Sequence, residues 1–133
     1  MILKFRAWDT HGQKMFSNNE LIIWGGNVYL DESKGLPCRN LKCRSIPDEH
    51  LMQSTGLKDK NGQEIFEGDI LGTKDGLLNG VVEYRTDLGM WTNSLIRYNN
   101  RYNNFERLCN VANSREIIGN IYENPELLEI KGE

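Results

Sequence analysis

The sequence predicts a mainly β protein, and three observations carry the prediction. Apolar residues come in short runs, each closed by Gly, Asn, Asp or Pro, which is the rhythm of strands and turns. Several of those runs alternate between apolar and polar side chains, the two-residue period of a half-buried strand. A long helical period of 3.6 is found nowhere in the 133 residues.

The elements follow in order. "KFRAWD" at residues 4–9 alternates, with Phe5 and Ala7 on one face and Lys4, Arg6 and Trp8 on the other. Thr10, His11 and Gly12 turn the chain, and Lys14, Met15 and Phe16 resume it. "ELIIW" and "VYL" flank Gly25, Gly26 and Asn27, a connection suited to a tight hairpin because glycine takes positive φ freely. Residues 31–49 show no period, and Pro37 and Pro47 interrupt them. That span is expected to be a loop or a boundary, dividing the chain into 1–49 and 50–133.

The second part resumes with "ILGTKD", "GVVEYR", "GMWT" and "REIIGNIY", spaced by turn residues as in a meander or small barrel. The tail predicts a helix of about two turns. Asn124 is placed to cap it, Pro125 to occupy its first position and Glu126 to face the positive end of its dipole. Leu127, Leu128 and Ile130 would then pack inward.

Composition excludes some functions. Sixteen basic against nineteen acidic residues, a formal charge of −3, give no chain-wide attraction to nucleic acid. The first residues are charged by Lys4, unlike a signal peptide, and no apolar run approaches the ~20 residues of a membrane span. The expectation is a cytoplasmic protein without membrane contact. Its three cysteines, Cys38, Cys43 and Cys109, are an odd number and are expected as reduced thiols.

"LMQSTGLKDKNGQEIFEGDIL", residues 51–71, is the densest stretch, and it admits three readings. A phosphate cradle needs closely spaced glycines between a strand and a helix, whereas Gly56, Gly62 and Gly68 stand six apart and lead into a strand. Glu64, Glu67 and Asp69 are a carboxylate group that could divide acid and base roles. The third reading explains more residues. Asp59, Lys60, Asn61 and Gly62 form a tight turn with positive φ at both Asn61 and Gly62, Ile65 and Phe66 face a core, and Asp69 opens the next strand.

That stretch, with "GVVEY" and "EIIGNIYENPELL" after it and "ILKFRAWD" and "KMF" before it, resembles the YopX protein family of bacteriophages and prophages. The resemblance covers most of the chain apart from residues 25–49 and 87–114. It implies a β-rich N-terminal part and a C-terminal Src-homology-3-type barrel, with no activity and no catalytic residues to carry over. The matching positions are Trp8, Gly56, Leu57, Gly62, Ile65, Gly68, Asp69, Ile70, Gly119, Ile121, Asn124 and Pro125, residue types that build folds.

Other signals are local. Arg97-Tyr98-Asn99-Asn100 is followed at once by Arg101-Tyr102-Asn103-Asn104, and Phe105 and Arg107 continue the pattern. Arginines interleaved with aromatics are what a single-stranded nucleic-acid surface uses, and an Asn-rich loop or hairpin is the plainer alternative. A second basic stretch holds Lys34, Arg39, Lys42 and Arg44, flanked by Asp31, Glu32, Asp48 and Glu49, which offset its field. Cys38, Cys43 and His50 lack the spacing of a zinc site, and His11 has no nucleophile around it. No cofactor, metal or catalytic residue is therefore assigned. The preferred reading is a non-enzymatic binding or assembly module with an unidentified protein partner. A single-strand binder using Arg97, Tyr98, Arg101, Tyr102 and Arg107, or an enzyme using the carboxylates, are the alternatives. Two parts with small cores also predict a homo-oligomer, since small cores need extra burial.

Overall fold

Strands dominate the computed structural model, which describes residues 3–31, 43–97 and 103–129. The chain divides into two compact units, Met1–Gln53 and Ser54–Glu133, four residues beyond the division that the loss of periodicity suggests.

In the first unit β1 (Phe5–Asp9) lies antiparallel to β2 (Lys14–Phe16), with Ala7 opposite Phe16, and to the start of β6 (Leu51–Lys58), with Ala7 opposite Leu51. Ala7, Trp8 and Asp9 are all buried, so the expected alternation of this strand gives way to burial on both faces. A second, three-stranded sheet has the order β3 (Leu21–Trp24), β4 (Asn27–Asp31), β5 (Cys43–Ile46). Gly25 and Gly26 connect β3 to β4 at φ of 57° and 80°, the doubly left-handed turn that suits a two-residue hairpin. β5 corrects the expectation of a structureless 31–49. Its four residues pair with β4 from Val28↔Ile46 to Asp31↔Cys43, and a strand so short leaves too few positions for a period to show. Ala7, Phe16 and Leu30 are the buried core, joined by Leu21, Ile46 and Leu51.

In the second unit the end of β6 pairs with β7 (Glu64–Phe66), and a five-stranded antiparallel sheet follows. Its order is β11 (Phe105–Arg107), β10 (Met90–Leu95), β9 (Gly80–Arg85), β8 (Asp69–Gly72), β12 (Glu116–Asn120). Ile70 stands opposite Val81, and Leu71 opposite Gly80. Successive residues point to opposite faces, so the two resulting clusters lie on the two sides of the sheet. Leu71 and Val82 join Ile65, Leu108 and Ala112, whereas Ile70 and Val81 join Ile96 and the tail residues Ile121, Leu127 and Leu128. Burial on both sides explains why β8 reads as a continuous run rather than an alternation. α1 (Leu108–Val111), which the sequence did not announce, delivers Leu108 to the first cluster.

The tail helix is a single 3-10 turn, Pro125–Leu128, in place of the two turns expected, and Ile130 lies outside the described residues. Pro125 and Glu126 occupy its first turn as predicted, but Asn124 does not cap it. Among the described residues no helix is long and apolar enough to cross a membrane.

Candidate functional site

The central stretch folds into a clasp. Asp59 sits at the end of β6 with 5% of its surface exposed. Its Oδ1 accepts the backbone N–H groups of Asn61 at 2.9 Å and Gln63 at 2.8 Å, and its Oδ2 accepts that of Ile117, in β12, at 3.0 Å. Burial opposes ionisation of this carboxyl, but the N–H groups of Ile117, Gln63 and Asn61, with the Lys60 charge, outweigh it and hold the pKa below the ordinary value. Around it, Lys60 N–H donates to the Arg115 carbonyl at 2.9 Å, and Asn61 Nδ2 donates to Glu116 Oε1 at 3.3 Å. The turn thus grips the start of β12 through backbone, carboxylate and carboxamide together.

The turn itself differs from expectation at one residue. Gly62 has φ of +81°, but Asn61 does not have positive φ. Gly62 N–H bonds the Asp59 carbonyl at 3.0 Å, and Asp59 N–H bonds the Gln63 carbonyl at 2.8 Å. This is the longer hairpin connection, one turn followed by a single left-handed residue, and glycine alone supplies the special conformation. Gly56 and Gly68, at φ of 79° and 87°, are left-handed too; Gly56 lies at the register shift inside β6, and Gly68 in the turn between β7 and β8.

A matching device closes β12 at its far end. Asn124 Oδ1 accepts the Asn120 N–H at 3.2 Å, and Asn120 Oδ1 accepts the N–H groups of Tyr122 and Glu123 at 3.0 and 2.8 Å. Asn124 can lie there because Gly119 has no side chain; a Cβ on Gly119 would stand 2.5 Å from Asn124 Oδ1. Satisfying a nearby strand N–H therefore replaces the helix-capping role expected of Asn124. Asp59 and Asn124 together occupy N–H groups on an edge strand that no further strand takes among the described residues.

The carboxylates proposed as an acid–base group are placed separately. Asp69 is 2% exposed and its Oδ2 accepts the Phe66 N–H at 2.8 Å. Glu64 Oε2 accepts the Ser54 hydroxyl, and Glu67 lies half-buried in the turn after β7. Trp8 is buried in the first unit at 5% exposure. Of the arginine–tyrosine residues, Arg97 is exposed after β10, and Arg107 is exposed on β11. Tyr98, Arg101 and Tyr102 lie outside the described residues, as do Lys34, Cys38, Arg39 and Lys42. Cys109 is an exposed free thiol, and among the described residues no group of His, Cys, Asp and Glu gathers as metal ligands would.

Some residues to which the sequence assigned no partner carry strong interactions. Arg44 makes a two-pronged pair with buried Asp9, Nη1 to Oδ1 at 3.0 Å and Nη2 to Oδ2 at 2.7 Å. Those bonds from Arg44, opposed by burial and helped by the N–H groups of Gly12 and His11, lower Asp9 to about 2. Arg115 donates to Glu106 at 2.6 Å, and Glu106 accepts Asn93 Nδ2 at 3.0 Å. Arg85 lies between Asp87, at 2.6 Å, and the Phe105 ring, 4.8 Å from its centroid.

Trp24 is the most exposed large apolar side chain among the described residues, and Ile23 and Trp24, 47% and 77% exposed, end β3, an edge of its sheet. A visible signal preceded them: a two-residue Gly25-Gly26 turn leaves Trp24 at the last strand position, with Asn27 as its cross-strand partner.

Comparison with known proteins adds the following. The family model described as "YopX protein" matches residues 4–129. The crystal structure of protein EF1440 from Enterococcus faecalis is similar at 31% identity and a TM-score of 0.60, covering 97% of this chain and 99% of that one. The crystal structure of protein yopX from Bacillus subtilis is similar in fold, at 22% identity, a TM-score of 0.57 and 95% coverage of each chain. No curated protein matches the chain.

Proposed function

The chain belongs to the YopX protein family, and from that premise we propose that it is a non-enzymatic binding or assembly module of phage or prophage origin. It acts in the cytoplasm and joins protein partners, copies of itself included. The observation that carries this reading is the exposed end of β3, where Ile23 and Trp24 stand 47% and 77% exposed on a strand edge that no other described strand pairs. Natural edge strands are usually blunted by charge, proline or a bulge, and "LIIW" has no charge and no proline. Large aromatic side chains are also the residue type most enriched where proteins meet. The commitment of Asp69 and Glu64 to hydrogen bonds within the fold supports a binding role over acid–base chemistry.

The test is paired substitution. Trp24→Ser with Ile23→Ser should leave the fold intact, since both side chains are exposed, and should convert an assembly seen by light scattering into the 15.4 kDa monomer. Wild-type protein already monomeric at micromolar concentration would overturn self-assembly through this edge.

A second reading is favoured by the exposure of Arg97, which begins the Arg-Tyr repeat, and of Arg107, three residues past its end. It makes β10 and β11 the support of a single-strand-binding segment. Arg97→Ala with Arg107→Ala should then weaken binding to single-stranded nucleic acid and flatten its salt dependence, by about 0.7 in slope for each phosphate left without its arginine. Absence of wild-type binding at low salt would dispose of it.

A further inference from the structure

Asn-Gly occurs twice in this chain, and the fold treats the two very differently. Asn61-Gly62 lies exposed in the clasp turn, whereas Asn79-Gly80 leads into β9, where Gly80 is buried. The geometry points to Asn61 as a site of spontaneous deamidation whose product loosens the clasp on β12.

The reaction needs only solvent water. The Gly62 backbone nitrogen, on losing its proton, attacks Asn61 Cγ; a C–N bond forms, and the carboxamide nitrogen leaves as ammonia. Water then opens the resulting five-membered imide at either carbonyl, giving aspartate or isoaspartate. One water is consumed and one ammonia released. Glycine favours the step because no Cβ shields its nitrogen, and nothing lies within 4 Å of where a Gly62 Cβ would stand. The brake is the hydrogen bond from Gly62 N–H to the Asp59 carbonyl at 3.0 Å, which must open first. In an exposed turn that opening is local and disturbs no core.

At Asn79 the same dipeptide is locked. Asn79 is half-buried and its Oδ1 accepts the Thr73 N–H at 3.3 Å. Gly80 pairs with Leu71 on one side and Leu95 on the other, and the Asn93 side chain lies against it. Freeing its nitrogen means breaking the sheet.

The consequence at Asn61 is electrostatic. Its carboxamide donates to Glu116 Oε1 at 3.3 Å, so a carboxylate there turns a donor into a like charge, two residues from the buried Asp59. Lys60 Nζ, 3.9 Å from Glu116, offsets part of that repulsion. Isoaspartate adds a methylene to the backbone of the turn as well.

The experiment compares folded and denatured protein in mildly alkaline buffer, mapping peptides by mass over time. In the folded protein the mass gain of an NH2-for-OH exchange should appear at position 61 several-fold ahead of position 79, while denatured protein converts both at similar rates. Asn61 intact over the interval that converts denatured chain, or Asn79 converting at least as fast in the folded state, would overturn the assignment. Asn61→Asp should melt below Asn61→Gln, with the gap narrowing as salt is added. Equal melting temperatures would overturn the loosening of the clasp.

Discussion

Asp59 shows how much one side chain can organise. Three backbone N–H groups from two separate segments converge on it, so its removal takes one acceptor from all three, although water can reach those of the exposed Asn61 and Gln63. Asp59→Ala should cost about 2–4 kcal/mol, since each of the three lost hydrogen bonds is worth roughly 0.5–1.5 kcal/mol. Asp59→Asn should cost less, because one oxygen can still serve Asn61 and Gln63 while Ile117 loses its acceptor; denaturant melts giving the reverse order would remove the carboxylate from this role. Asp9 makes a pH prediction with a definite sign. Its carboxyl is held at about 2 against an ordinary 3.8, so the folded state binds the proton less readily than the unfolded chain. The stabilisation is complete above the unfolded value near 3.8 and is lost as pH falls through about 2. At about 1.4 kcal/mol per unit it amounts to at most about 2.5 kcal/mol. Asp9→Asn should flatten the stability curve over that window, and an acid titration of both proteins checks it.

At the scale of elements, the hairpin turn and the β12 closure can be probed separately. Gly62 has open space around it but φ of +81°, so substitution there reports backbone strain without a clash. Gly62→Val should cost about 1–3 kcal/mol, and Gly62→Asn less, because asparagine tolerates the left-handed region better. A thermal melt of Gly62→Val equal to wild type would contradict the turn geometry. Gly119 is the opposite case, with space denied by Asn124 at 2.5 Å. Gly119→Ala and Asn124→Ala should each destabilise, yet the double variant should cost less than their sum, since removing the Asn124 side chain removes the clash; strict additivity would argue against it. These elements also show what a sequence can reveal. Gly25-Gly26 and the runs of β8, β9, β10 and β12 are legible because turn residues and apolar runs are local signals. α1 is not, since four residues offer barely one helical period, nor is β5, whose "CRSI" lacks the apolar run that marks β8. Dipeptide preference favours positive φ at Asn61, and the hydrogen bonds to Asp59 select a different turn. Asn124 reads as a cap because the sequence shows Pro125 but not the strand N–H beside it. Arg44, Arg85 and Arg115 look like surface charges, and their acidic or aromatic partners are fixed by the fold rather than by spacing alone.

For the whole molecule the decisive quantity is how much each unit can bury. The first unit rests on Ala7, Phe16 and Leu30, with Leu21, Ile46 and Leu51 packed partly against them. Domains of about 60 residues are marginal on such cores, and disulfides or metals are the usual supplements. Disulfides do not suit the reducing cytoplasm proposed for this chain, and association is a further source of burial. The same unit displays Ile23 and Trp24 at 47% and 77% exposure on a strand edge. Burying one large apolar side chain contributes about 1.5–3 kcal/mol, and a two-fold interface would bury each twice. Association that stabilises the folded state must then make stability depend on protein concentration, because mass action favours the assembled form. Calorimetry across a wide concentration range should show the melting temperature of the wild-type protein rising with concentration. The Ile23→Ser, Trp24→Ser variant should melt at one temperature throughout, matching the dilute limit of the wild type. A wild-type melting temperature indifferent to concentration would mean that the unit's own core suffices and that the exposed edge serves a different partner.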